Sequence, residues 1–115
     1  MHRGITSKEE ATHFLSPTLE DLNDPYLLSS MNNCVIRMSA ALNNGERIGV
    51  FGDFDTDGLT GTAVLTKGLE NLGGVVFPYV PHRVKEGHGI SQQAIDFFEK
   101  REVTLIITVD CGTTS

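Results

Sequence analysis

Three short runs of apolar and β-branched residues, "RIGVF" at 47–51, "VVFPYV" at 75–80 and "VTLIITV" at 103–109, are separated by stretches with helical periodicity. Each run is long enough for a buried strand and too short for a helix. After the first, Leu59, Ala63, Leu65, Leu69 and Leu72 recur as the apolar face of a helix, which Gly73 and Gly74 break. After the second and a polar loop, "PHRVKEGHG", Ser91 can cap a helix running to about Arg101, with Ala94, Ile95 and Phe98 inward. Strands joined by helical connections of this length pair in parallel through right-handed crossovers. The expected class is α/β, a parallel sheet with helices on both faces. Ligands of such sheets bind beyond the carboxyl ends of the strands, where the strand order reverses.

Upstream, Ser7 and Glu10 have capping-box spacing, so "SKEEATHFL" predicts a short helix ending before Pro17. An irregular strap follows, in which Leu19, Leu22, Tyr26 and Leu27 can cover an apolar surface. Met31, Val35, Met38 and Leu42 predict a helix over 31–44, closed by Gly45 in a left-handed cap. The 115 residues suffice for one small domain with a core and leave no room for a second.

The first strand runs directly into "GDFDTDG", which carries Asp53, Asp55 and Asp57 at alternate positions, and the third ends at Asp110. The expected strand order, 2-1-3, brings these carboxylates side by side, whereas 3-2-1 separates them. Four carboxylates at one edge repel, and a hard divalent cation commonly stabilises such a cluster. Oxygen donors without neighbouring thiolates suit Mg²⁺ or Mn²⁺ better than zinc; the competing reading is a solvated acidic turn. "DFDTDG" also opens like an EF-hand loop, but the twelfth position is Val64 where a bidentate Glu is needed, and a strand enters the loop. Neither a P-loop nor a Gly-x-Gly-x-x-Gly turn follows any strand.

Other features narrow the class. Apolar residues make up 39% and charged residues 21%, as in globular proteins. No stretch approaches the about 20 apolar residues that span a bilayer, and no secretory segment opens the chain, so a cytoplasmic location without membrane attachment is expected. Cys34 and Cys111 match no Cys-x-x-Cys or zinc pattern and read as ordinary thiols of a reducing compartment. A net charge of −6 argues against broad adhesion to nucleic acid, though bound cations or a local basic patch can still receive a phosphate backbone.

"GDFDTDGLTGTAVL" resembles the first motif of the DHH phosphoesterases, in particular the RecJ-type single-stranded-DNA exonucleases. "PHRVKEGHGIS" is similar to their loop after the second strand, "LIITVDCGTTS" to their second motif, and "FLSPTLEDLNDPYLL" to their lead-in, so the resemblance covers nearly the whole chain. It implies a Rossmann-like domain with a two-metal Mn²⁺ or Mg²⁺ site, to which Asp55, Asp57 and Asp110 contribute as catalytic ligands. Asp53 is a further ligand or a support of the turn; its spacing leaves both open. The implied reaction is hydrolysis of phosphodiester bonds, with metal-activated water attacking phosphorus in line. The implied substrate is single-stranded DNA degraded from its 5′ end, in recombination and repair alongside other repair proteins.

Arg83 is the candidate phosphate contact, since a guanidinium binds phosphate oxygens in bidentate fashion. His88, where the resemblance implies an aromatic residue, is expected to stack on a base or cap the loop and is a second candidate phosphate contact, while His82 and Lys85 read as surface residues. Gly58 and Gly61 allow close approach to a ligand or of helix to sheet, and Gly112 permits a tight turn. Thr113, Thr114 and Ser115 can begin a helix or offer hydroxyls to phosphate.

An α/β domain does not ordinarily finish in the turn after a buried strand, and these residues contain no Asp-His-His. The chain is therefore expected to be an N-terminal fragment, inactive alone: residues 1–45 a helical lead-in packed on the sheet, 46–115 the first part of a DHH domain. Rival readings are an oligoribonuclease or cyclic-dinucleotide phosphodiesterase of the same superfamily, a noncatalytic nucleic-acid-binding module, and a structural domain with an uncoordinated acidic edge.

Overall fold

A computed structural model describes residues 4–112, and the chain divides into two compact units, residues 1–35 and 36–115. Helix α1 spans Lys8–Leu15. It begins where the sequence places its cap, with the Glu10 N–H donating to Ser7 Oγ (3.1 Å) and the Ser7 N–H donating to Glu10 Oε2 (3.0 Å). Two single turns of 3₁₀ helix follow, Leu19–Asp21 and Pro25–Leu27. Leu19, Leu22, Tyr26 and Leu27, expected to cover an apolar surface, are all exposed. Turns this short do not gather four side chains onto one face. Helix α2, Met31–Asn43, ends as expected at Gly45 with φ +64°.

Within residues 36–115, strand β1 (Arg47–Gly52), helix α3 (Thr56–Asn71), strand β2 (Val75–Tyr79), helix α4 (Gln92–Glu99) and strand β3 (Leu105–Val109) alternate. The sheet is parallel in the order β2-β1-β3, with Val50 opposite both Pro78 and Ile107. That is the order which brings the ends of β1 and β3 together. As the central strand, β1 is buried on both faces. Ile48 and Val50 pack with Ala41 and Leu69, while Phe51 packs with Ala94 and Phe98. Gly49 leaves room for α4, since a Cβ there would lie 2.7 Å from the Phe98 ring.

Two helical faces differ from expectation. In α3 the inward stripe is Gly58, Thr62, Leu65, Thr66 and Leu69; Leu59, Ala63 and Leu72 are exposed. The helix is phased by its cap at Asp55, and its first turns approach the sheet too closely for large side chains: a Cβ on Gly61 would lie 2.6 Å from Val109 Cγ1. In α4, Ala94 and Phe98 face inward with Phe97 half-buried beside them, and Ile95 is turned outward. Cys34 is exposed and Cys111 half-buried, both as free thiols. Among the described residues no helix is long and apolar enough to cross a membrane.

Candidate active site at the carboxyl edge of the sheet

Asp53 directly follows β1, and its N–H continues the ladder by donating to the Val109 carbonyl at 3.3 Å. Its carboxylate is buried. Oδ1 accepts from the Phe54 N–H (2.8 Å), and Oδ2 lies 3.0 Å from His88 Nδ1. The Phe54 amide first, then His88 and the Arg83 charge, hold this carboxyl below the usual aspartate range against the opposing effect of burial. Asp53 is thus engaged by protein donors.

Asp55 is the N-cap of α3, with extended backbone and Oδ1 accepting from the Gly58 N–H at 3.0 Å. Asp57 sits in the first turn of the same helix, where the positive end of the helix dipole favours an anion. Both are exposed. The turn requires Gly58, because a Cβ there would lie 2.2 Å from the Asp53 carbonyl oxygen. Asp110, one residue past β3, takes the left-handed conformation (φ +59°) that Asp and Asn adopt more readily than most residues. Its carboxyl is pushed up by desolvation first, then by the charges of Asp55, Asp57 and Asp53. The four aspartates therefore feel one another at one edge.

Among the described residues, however, no three His, Cys, Asp or Glu side chains converge tightly enough to hold a metal ion. Asp53 and Asp55 are instead engaged by backbone donors, the Phe54 and Gly58 N–H groups. The carboxylates nonetheless suit a divalent cation in kind, being anionic oxygen donors, and a cation would relieve the repulsion that adds to desolvation in raising the Asp110 carboxyl.

The loop after β2 supplies the facing wall. The Arg83 guanidinium lies 5.2 Å from the centre of the Phe54 ring, and the His88 ring lies 4.5 Å from it at 48°. Phe54 is thus a platform for both loop residues. Sequence reasoning passed over it; the available signal was an aromatic standing alone among alternating aspartates. His82 is a turn cap whose Nδ1 accepts from the Val84 N–H at 3.2 Å, and Lys85 is exposed. Gly61 serves the approach of helix to sheet, and Gly112 (φ +87°) the turn after Asp110. The expectation for Thr113, Thr114 and Ser115 lies outside the described residues.

A parallel α/β sheet of order 2-1-3 with an acidic cluster at its switch point defines a class of oxygen-rich sites at a sheet edge. The model of the DHH family, N-terminal domain, matches residues 47–115, and the chain belongs to that family. It is similar along nearly all its length to the single-stranded-DNA-specific exonucleases RecJ of Thermus thermophilus and Bacillus subtilis. With the first it is 42% identical over 115 residues, covering 99% of this chain and 16% of that one. With the second it is 38% identical over 110 residues, covering 96% and 14%. It also superposes on the crystal structure of an exonuclease RecJ bound to manganese, with a TM-score of 0.66 and 43% identity over 72% of this chain and 21% of that one. The chain thus spans about a sixth of the relatives it matches.

Proposed function

We propose that these residues form the opening part of a metal-dependent exonuclease that hydrolyses single-stranded DNA from its 5′ end in recombination and repair. In this reading residues 46–115 begin the DHH domain and residues 1–45 are its lead-in. Asp55, Asp57 and Asp110 hold divalent cations, Mn²⁺ being the ion named for a similar solved structure, and Asp53 braces the turn from which Asp55 projects. Bound cations would supply an activated water and charge neutralisation at the leaving oxygen. Arg83 binds a backbone phosphate, its guanidinium held 5.2 Å from the centre of the Phe54 ring, and His88 closes the same wall. The observation that most supports the reading is the grouping of Asp110 with Asp55 and Asp57, from two separate strand ends, in a member of the DHH family.

Digestion is expected of the full-length gene product rather than of these 115 residues, which contain no Asp-His-His. The test follows Mn²⁺-dependent release of nucleotides from single strands labelled at either end, comparing the native protein with Asp55→Ala and Asp110→Ala. Early release of the 5′ label, lost in both variants, is the expected result. Equal digestion by native protein and variants would sink the assignment. Calorimetric titration of the 115-residue chain with Mn²⁺, repeated on the two variants, reads the metal site independently of turnover.

A further inference from the structure

Arg83 and His88 stand on the loop between Tyr79 and Ser91, which contains turns but neither strand nor helix, so something other than a regular ladder must fix its path. Its centre is Glu86, half-buried, whose carboxylate collects donors from both ends of the loop and from within it. Oε2 accepts from the Tyr79 hydroxyl at 2.7 Å and from the Ser91 hydroxyl, and Oε1 accepts from the His82 N–H at 2.8 Å. These partners are themselves fixed. Tyr79 closes β2 and stacks on the buried Phe51, with ring centres 6.0 Å apart. Ser91 caps α4, its Oγ also accepting from the Ala94 N–H at 3.1 Å.

We propose that Glu86 is a positioning residue: it pins the loop to the end of β2 and the start of α4, and so holds Arg83 and His88 against Phe54 and Asp53. The anchoring stands on geometry alone; its catalytic consequence rests on the nuclease reading above. The bonds Glu86 accepts also hold its carboxyl below the usual glutamate range, Ser91 contributing most. One carboxylate satisfying three donors ties the middle of the loop to the end of β2 and the start of α4, two elements that also meet where the Tyr79 ring packs on Phe97 and Phe98. Hydrogen bonds to an ionised acceptor are roughly twice as strong as neutral ones. Among the described residues, the Glu86 carboxylate makes no hydrogen bond to an aspartate of the acidic edge.

The variants follow from the donor geometry. Glu86→Ala removes every acceptor. Glu86→Gln keeps an acceptor for the His82 N–H, and the Tyr79 hydroxyl can reverse to receive the new amide, so this variant restores most of the anchor. In the full-length gene product, hydrogen exchange at the His82, Lys85 and Glu86 amides reads the anchor directly. Glu86→Ala should accelerate it by about tenfold or more, leaving β1 and α3 unchanged. Digestion of single-stranded DNA reads the consequence: Glu86→Ala should lower kcat/KM about tenfold, mainly through KM, but change little when Arg83→Ala is already present. Unchanged exchange in Glu86→Ala would overturn the proposal. So would Glu86→Gln as impaired as Glu86→Ala, or losses that multiply fully with Arg83→Ala. Should Glu86→Ala fail to fold, Tyr79→Phe removes a single spoke and should give a smaller acceleration at the same amides. A native protein that digests no single-stranded DNA would sink the nuclease reading, while the exchange arm still decides the anchor.

Discussion

His88 Nδ1 lies 3.0 Å from Asp53 Oδ2, a bond that joins positions 35 apart and ties the loop after β2 to the turn after β1. Both halves of that bond flank Phe54, on whose ring His88 and Arg83 converge. Removing the ring should therefore release the wall without touching a carboxylate. Phe54→Ala is expected to lower kcat/KM of the full-length gene product on single-stranded DNA about tenfold, mostly through KM, because cation–π support worth roughly 0.5–2 kcal/mol is lost together with packing. Phe54→Tyr, which retains a ring face, should stay within about threefold of the native protein by the same reckoning. Steady-state kinetics on the pair checks this, and equal losses would remove the platform role.

Gly58 tests the backbone of the acidic turn. A Cβ would sit 2.2 Å from the Asp53 carbonyl oxygen, so Gly58→Ala must displace the turn or the helix. Overpacking of this kind costs about 1–3 kcal/mol. Urea unfolding of the 115-residue chain should show that loss, whereas Gly68→Ala, at a position with nothing within 4 Å, should be neutral or stabilising.

Metal dependence should appear in stability as well as in turnover. In chelator, Asp110→Asn is expected to raise the melting temperature, because it removes a charge crowded by Asp55, Asp57 and Asp53 while tolerating the same left-handed backbone. Added Mn²⁺ should reverse the order. A ligand at 100 times its dissociation constant stabilises by about 2.7 kcal/mol, and the variant should gain much less. Thermal melts with and without Mn²⁺ decide the matter.

One source of pH dependence lies away from the acidic edge. Glu46 accepts from Arg37 Nη1 and Nη2 (3.0 and 2.7 Å) and from Thr104 Oγ1 (2.7 Å). Arg37 chiefly, then Thr104, holds this carboxyl below the ordinary glutamate value of 4.5. A depressed carboxyl contributes stability that is present above 4.5 and is lost as pH falls through the lower folded value. Glu46→Gln should accordingly have a lower urea midpoint than the native chain at pH 7, and the gap should close on acidification.

Much of the architecture was legible because strand and helix periods differ and the connections are short. Strand order 2-1-3 followed from asking which arrangement would bring Asp53, Asp55 and Asp57 beside Asp110. The inward face of α3 was legible only in part, at Leu65 and Leu69. Counting apolar residues favoured Leu59, Ala63 and Leu72, but close approach to the sheet selected Gly58 and Thr62, and sterics at an interface leave no hydrophobic signature. Phe54 and Glu86 were missed for a related reason: each acts through partners more distant in sequence or placed in a loop, where periodicity carries no information. Arg83 was singled out for its charge, yet its place depends on that unnoticed ring.

Asp55 caps α3 through its Oδ1 and also contributes its charge to the acidic edge. Folding and the proposed chemistry therefore make different demands on one side chain. Asparagine satisfies the first demand, since it caps as well as aspartate does, but fails the second. A screen for soluble, folded protein would thus pass position 55 variants that have lost the charge, so good expression of a homologue with asparagine there would say nothing of its competence.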